Sequence, residues 1–176
     1  MAHSIQDIVE KANRLVNRCG TRDPHRAAEE LGIRIRYHTF SRQKGVYMVV
    51  LRNPVIILND NLDPVTESIV LWHEIGHHVL HRKEASGALT EYTLFDRRED
   101  RMEYEANVFA AQASLPEDEL LEYIEQGYDL QQTAKAMNSD VNLIALKIDT
   151  LIEQGCQLRH QEHKNDFLDS KYDINR

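Results

Sequence analysis

Residues 70–81, Val-Leu-Trp-His-Glu-Ile-Gly-His-His-Val-Leu-His, restrict the fold of this chain more than any other stretch. Wound as a helix at about 100° per residue together with the residues just before it, the segment places Val65, Ile69, Trp72, Gly76, Val79 and Leu80 on one stripe. A stripe that apolar must be packed, and Gly76 within it suits close approach by another element. Four histidines and a glutamate share the same turns. His73 and His77 lie one turn apart on the flank of the stripe, at the border of the core, where a metal is partly desolvated yet reachable. Glu74 projects further round, towards the open side. Two neutral imidazoles at i and i+4 can converge on one ion, and a glutamate between them can take a proton from water. His81 continues the row, either as a group behind the metal or as a surface histidine. His78 reads as structural or solvated.

Two histidines do not complete a catalytic zinc site. A third protein ligand is needed, with one position left for water. The candidate stretch is Met-Glu-Tyr-Glu-Ala-Asn-Val-Phe-Ala-Ala, 102–111. Met102, Ala106, Phe109 and Ala113 make its core stripe, with Glu103 and Asn107 one turn apart on one flank and Glu105 on the other. A carboxylate followed four positions later by a polar residue matches a zinc ligand and a side chain that orients the metal's surroundings. Glu103 is therefore the expected third ligand, Asn107 the orienting residue and Glu105 the second choice.

The remaining sequence frames these segments. Residues 5–16 have a helical period closed at Cys19-Gly20, and Asp23-Pro24 opens a short helix that Gly32 ends. Residues 33–37 alternate as a strand. Residues 45–51 and Val55, Ile56, Ile57 and Leu58 form two more β-rich runs about a turn at Arg52-Asn53-Pro54. Asp63-Pro64 starts the histidine helix, a polar loop covers about residues 83–97, and Pro116 closes the following helix. Three short helices follow. The expected class is α+β, a small antiparallel sheet packed on helices. Residues 1–115 would form a core, 116–156 a C-terminal helical, helix-turn-helix-like subdomain, and 157–176 a polar, flexible tail.

Charge separates the function classes. The chain has a formal net charge of −8, which disfavours coating nucleic acid or an anionic membrane. Residues 116–155 carry nine acidic side chains against Lys135 and Lys147, a net of −7. Despite its helix-turn-helix outline this segment would repel a phosphate backbone, so direct nucleic-acid binding is not expected. A helical appendage that packs on the rest of the chain, or that engages a basic DNA-binding protein, fits better. Cys19 and Cys156 stand in no metal-binding spacing and read as reduced thiols. No signal peptide and no membrane span is visible, so the expected location is cytoplasmic.

The stretches Trp-His-Glu-Ile-Gly-His-His-Val-Leu-His and Glu-Tyr-Glu-Ala-Asn-Val-Phe-Ala-Ala, with Asn-Pro-Val-Ile-Ile-Leu-Asn-Asp upstream, resemble the ImmA/IrrE family of zinc metallopeptidases. The likeness runs over residues 5–151. It implies a minimal gluzincin-like fold, one zinc ion (Zn2+) per chain on His73, His77 and Glu103, and Glu74 as the catalytic glutamate. It also implies a cytosolic endopeptidase that cleaves a helix-turn-helix repressor, a basic partner. One departure is Gln112-Ala113-Ser114-Leu115-Pro116, where the family commonly has an acidic and leucine-rich run. The reading adds Val55, Ile56, Ile57 and Leu58 as the sheet edge on which an extended substrate would lie. Tyr47, Tyr92 and His81 are open as oxyanion-stabilising groups. Two other functions stand as alternatives: a metal-binding sensor that holds a repressor without cutting it, and, less favoured, a DNA-binding regulator, which would need a basic face that this chain lacks.

Overall fold

A computed structural model describes residues 3–85 and 97–156; the expected tail at 157–176, Tyr92 and most of the expected loop fall outside these residues. The elements run α1 (Ile5–Cys19), α2 (Pro24–Glu30), β1 (Arg34–His38), β2 (Gly45–Val50), β3 (Asn53–Asn59), α3 (Pro64–Ala85), α4 (Arg97–Ser114), α5 (Glu117–Glu125), α6 (Leu130–Ala136) and α7 (Val141–Glu153). The class is α+β, as three consecutive β-rich runs set between helical segments imply.

Local chemistry sets the ends of these elements. The Ser4 hydroxyl accepts from the Asp7 N–H to cap α1, and Gly20 closes that helix in the left-handed region. Asp23 caps α2 in the same way. Asp63 accepts from both the Val65 and Thr66 N–H groups, which fixes where α3 starts.

The sheet is mixed, not wholly antiparallel. Its order is β1-β3-β2, with β1 parallel to β3 and β2 antiparallel to it. After β1 the chain crosses through residues 39–44 to the far edge, lays down β2 and returns as β3 in the middle. Asn59 holds that crossing, donating through Nδ2 to the Phe40 and Gln43 carbonyls. The expectation that Val55, Ile56, Ile57 and Leu58 form a sheet edge is therefore overturned. They are the central strand, paired on both sides, and have no backbone edge to offer a substrate. The physical reason lies in the connection, which carries β2 to the far edge and returns β3 between the other two strands, with Ile56 and Leu58 buried and Val55 and Ile57 half-buried.

The hairpin turn falls at Leu51 and Arg52, both in the left-handed region, one or two residues before the expected place. This suits a two-residue primed turn. Pro54 then lies within β3. It faces Val49, and pairing with β1 begins only at Val55, so its missing N–H breaks no ladder bond.

The first compact unit ends at Ser114. In it α4 packs on α3 and α1, and β2 packs on α3. Trp72, Ile75 and Phe109 are fully buried at the centre. A Cβ on Gly76 would lie 3.2 Å from the Ala106 Cα and carbonyl oxygen, so glycine is what lets α3 and α4 approach this closely. The Arg22 guanidinium donates to the Gln112 and Ala113 carbonyls near the end of α4. The second unit, from Leu115, contains α5, α6 and α7 around Leu120, Ala134, Ile144, Ile148 and Leu151. Within it Lys147 is wholly buried and reaches Glu117 at 3.4 Å.

Candidate metal centre

Helix α3 presents His73 and His77 one turn apart, and the Gly76 contact brings α4 near enough for Glu103 to face both. The two Nε2 atoms are 3.1 Å apart. Glu103 reaches His73 Nε2 at 3.1 Å through Oε2 and His77 Nε2 at 3.2 Å through Oε1. Zinc bonds of about 2.0–2.1 Å in a tetrahedron set neighbouring ligand atoms about 3.3 Å apart, so the spacing fits one ion. Among the described residues, these three form a group whose ligand atoms all lie within 4.8 Å of one another. The histidines are mostly covered, while the Glu103 side chain is 57% exposed, which leaves an approach from solvent on its side.

The far side of each imidazole is also engaged. His73 Nδ1 lies 2.8 Å from Asn107 Oδ1, as expected of a residue that orients the ring. His77 Nδ1 lies 3.2 Å from His81 Nδ1. His81 is 5% exposed and pairs with Glu105, so it is not a surface histidine. Glu105 itself points away from the convergence point and towards His81, Arg101 and the His3 N–H.

The electrostatics follow the same contacts. Hydrogen bonds from His73 and His77 hold the Glu103 carboxyl far below the usual carboxylate range. Burial alone would lower the pKa of His73, but Glu103, Glu74 and Asn107 outweigh it and the net shift is upward. The lowered Glu103 pKa keeps a negative charge at the point where a cation would sit, while the proton favoured on His73 is one that a bound ion would have to displace.

Glu74 does not face the open side. It is 6% exposed and lies beneath β2, because the sheet closes over that flank of α3. A Cβ on Gly45 would meet Val70 Cγ1 at 2.7 Å and Glu74 Oε1 at 3.0 Å, so only glycine passes there without displacing one of them. Burial raises the pKa of Glu74, opposed by the adjacent histidines and by a hydrogen bond from the Tyr47 backbone N–H. A carboxylate raised in this way and set beside a cation site is suited to proton transfer. The Tyr47 hydroxyl is engaged elsewhere, 2.9 Å from His78 Nδ1. Tyr47 thus meets Glu74 through its backbone, not as a hydroxyl donor to substrate. His78 is buried and structural, its pKa pushed down to about 4 by burial and by Arg82. The sequence carried no sign of the Gly45–Tyr47 cover over Glu74, which is a contact between distant segments. The pairing of His81 was foreshadowed only by its place in the His73–His77 row.

Residues 28–148 match the family model of a peptidase family, the IrrE N-terminal-like domain. The chain is 30% identical over 135 residues to a Bacillus phage phi105 protein named uncharacterized immunity region protein 2, covering 76% of this chain and 84% of that one. Its fold is similar to that of a Mycobacterium tuberculosis transcriptional regulator, with a TM-score of 0.63 at 20% identity. That alignment covers 83% of this chain and 47% of the regulator, so the chain spans about half of that protein's length.

Proposed function

We propose that this chain, which belongs to the peptidase family of the IrrE N-terminal-like domain, is a zinc-dependent endopeptidase. His73, His77 and Glu103 are its metal ligands and Glu74 its general base. The observation that carries this reading is the convergence of two Nε2 atoms and one carboxylate at tetrahedral spacing, beside a buried glutamate. A zinc ion held there supplies Lewis acidity that polarises a scissile carbonyl and acidifies water. Glu74 accepts the proton from the attacking water and passes it to the leaving amine. Asn107 fixes the His73 ring, and the cover of β2 keeps bulk water from Glu74.

The substrate strand moves from β3 to β2. The Lys44 carbonyl accepts from the Asn59 N–H, so alternate residues beyond it, Gly45, Tyr47 and Val49, turn their backbone groups away from β3. On this edge the Tyr47 N–H is taken by Glu74, so an extended peptide adding to it would pair with the Gly45 and Val49 backbone groups and the Tyr47 carbonyl, next to the metal ligands. The phage relative's name refers to an immunity region, which supports a repressor as the protein cut. We take it to be a basic helix-turn-helix protein met in the cytoplasm, with residues 116–156 as a helical appendage.

The decisive experiment incubates the purified protein with a repressor encoded beside its gene, with and without a chelator. Discrete fragments that vanish with chelator and return with zinc are expected. Glu74→Gln should keep one zinc per chain and the wild-type melting temperature, yet lose roughly 100-fold or more in rate. Near-normal cleavage by that variant would remove Glu74 from the mechanism. Metal-dependent binding without any cleavage would instead favour a sensor.

A further inference from the structure

Helix α3 breaks at His81, whose backbone leaves helical geometry at φ −125° and ψ 22°. The break turns the ring so that its two nitrogens face different partners, His77 Nδ1 at 3.2 Å and Glu105 Oε2 at 3.0 Å. The Leu80 carbonyl beside the break accepts from His3 Nε2. Glu105 is 3% exposed, a carboxylate inside the protein, and its other oxygen accepts from Arg101 Nε at 2.8 Å and the His3 N–H at 3.2 Å. An anion buried at this depth with charged and backbone donors around it stays an acceptor.

Following the protons outward from Glu105 gives one consistent arrangement. As an acceptor Glu105 requires the proton of His81 on Nε2. His81 Nδ1 is then a lone pair, and only an Nδ1–H on His77 can satisfy it. When an ion replaces the proton that His77 Nε2 shares with Glu103 in the metal-free chain, Nδ1 keeps its proton and the Nε2 lone pair points to where the metal would sit. Asn107 does the same for His73 in a single step through its amide oxygen. We infer that Glu105 and His81 are positioning residues for the zinc site, a two-step relay that fixes the tautomer and ring angle of His77. The inference rests on the metal-site reading above and adds a role for two buried residues that touch neither metal nor substrate.

Two measurements test it on the full chain. Long-range nitrogen–proton correlation spectra of the zinc-loaded wild type read the tautomers directly, and His81 protonated on Nε2 with His77 protonated on Nδ1 is expected. Competition with a chromophoric chelator gives the zinc dissociation constant. Glu105→Leu and His81→Phe should weaken zinc binding roughly 10–100-fold, while zinc in excess still loads one ion per chain. Glu105→Gln keeps an acceptor oxygen and should restore most of the affinity together with the His81 tautomer. If Glu105→Leu does not fold, the wild-type spectrum and Glu105→Gln still decide the matter. His81 protonated on Nδ1, or unchanged zinc affinity in folded Glu105→Leu and His81→Phe, would overturn the relay. His73→Ala separates the two readings. If wild type binds zinc no better than His73→Ala, the metal site itself is wrong and the relay falls with it. If His73→Ala abolishes binding while the relay variants leave it unchanged, only the relay is wrong.

Discussion

At the scale of single residues, burial explains more of this site than residue type does. His78 shares its segment with two metal-ligand candidates, yet burial keeps it neutral and joins it to Tyr47. Its lowered pKa, about 4 against an ordinary 6.5, has a consequence for stability. A histidine with a depressed folded pKa stabilises the fold fully above its unfolded value, and that contribution is lost as pH falls from about 6.5 towards 4. The loss is on the order of 3 kcal/mol across that window. Urea unfolding of wild type and His78→Phe at several pH values should show the variant losing less stability as the pH falls. Parallel curves would place the acid sensitivity on another group. The convergence of His73 and His77 was legible because a helix fixes what lies one turn apart. The burial of Glu74 was not, because the strand that covers it comes from residues about thirty positions upstream, and periodicity says nothing of such contacts.

Among elements, the helices were readable and the strand order was not. Caps such as Ser4, Asp23 and Asp63 are local, so the sequence shows where each helix starts. Pairing partners are not local. Alternation tells which face of β1 is covered, but not that β3 would lie beside it in parallel. The composition of β3 held a partial clue, since Val-Ile-Ile-Leu has no polar residue to mark an open face, although only Ile56 and Leu58 are fully buried. The element contact on which the site most depends is the α3–α4 crossing at Gly76. Gly76→Val would push α4 away, with a cost of about 1–3 kcal/mol from overpacking. It should also weaken zinc binding, because Glu103 retreats from His73 and His77. Lost stability with an unchanged zinc dissociation constant would show that Glu103 follows the histidines independently of this crossing.

For the molecule as a whole, the governing quantity is charge. The net of −8, concentrated beyond residue 115, would attract a basic protein such as the proposed repressor. Asp118, Glu119 and Glu122 are exposed on α5, whereas Glu117 is partly covered and pairs with buried Lys147. Reversing the three exposed charges therefore tests attraction without disturbing a buried ion pair. Repressor cleavage should slow several-fold in that variant at low salt, and the gap from wild type should close as ionic strength rises, since screening removes the long-range attraction. Zinc content should not change. An unaltered rate at every salt concentration would make this face merely solvated.

The three candidate ligands come from two helices, His73 and His77 from α3 and Glu103 from α4. Any ion held between them would act as a removable rivet through the fold. Metal binding and resistance to unfolding would then be a single linked equilibrium, worth about 2.7 kcal/mol when free zinc is 100-fold above its dissociation constant. Calorimetry should show the melting temperature dropping on chelation and recovering with zinc, by an amount that tracks the logarithm of free metal. No such dependence should remain in Glu103→Ala. Inside a cell, zinc scarcity would then do more than idle the enzyme. It would leave a looser chain open to degradation, so the number of copies would itself report the metal supply.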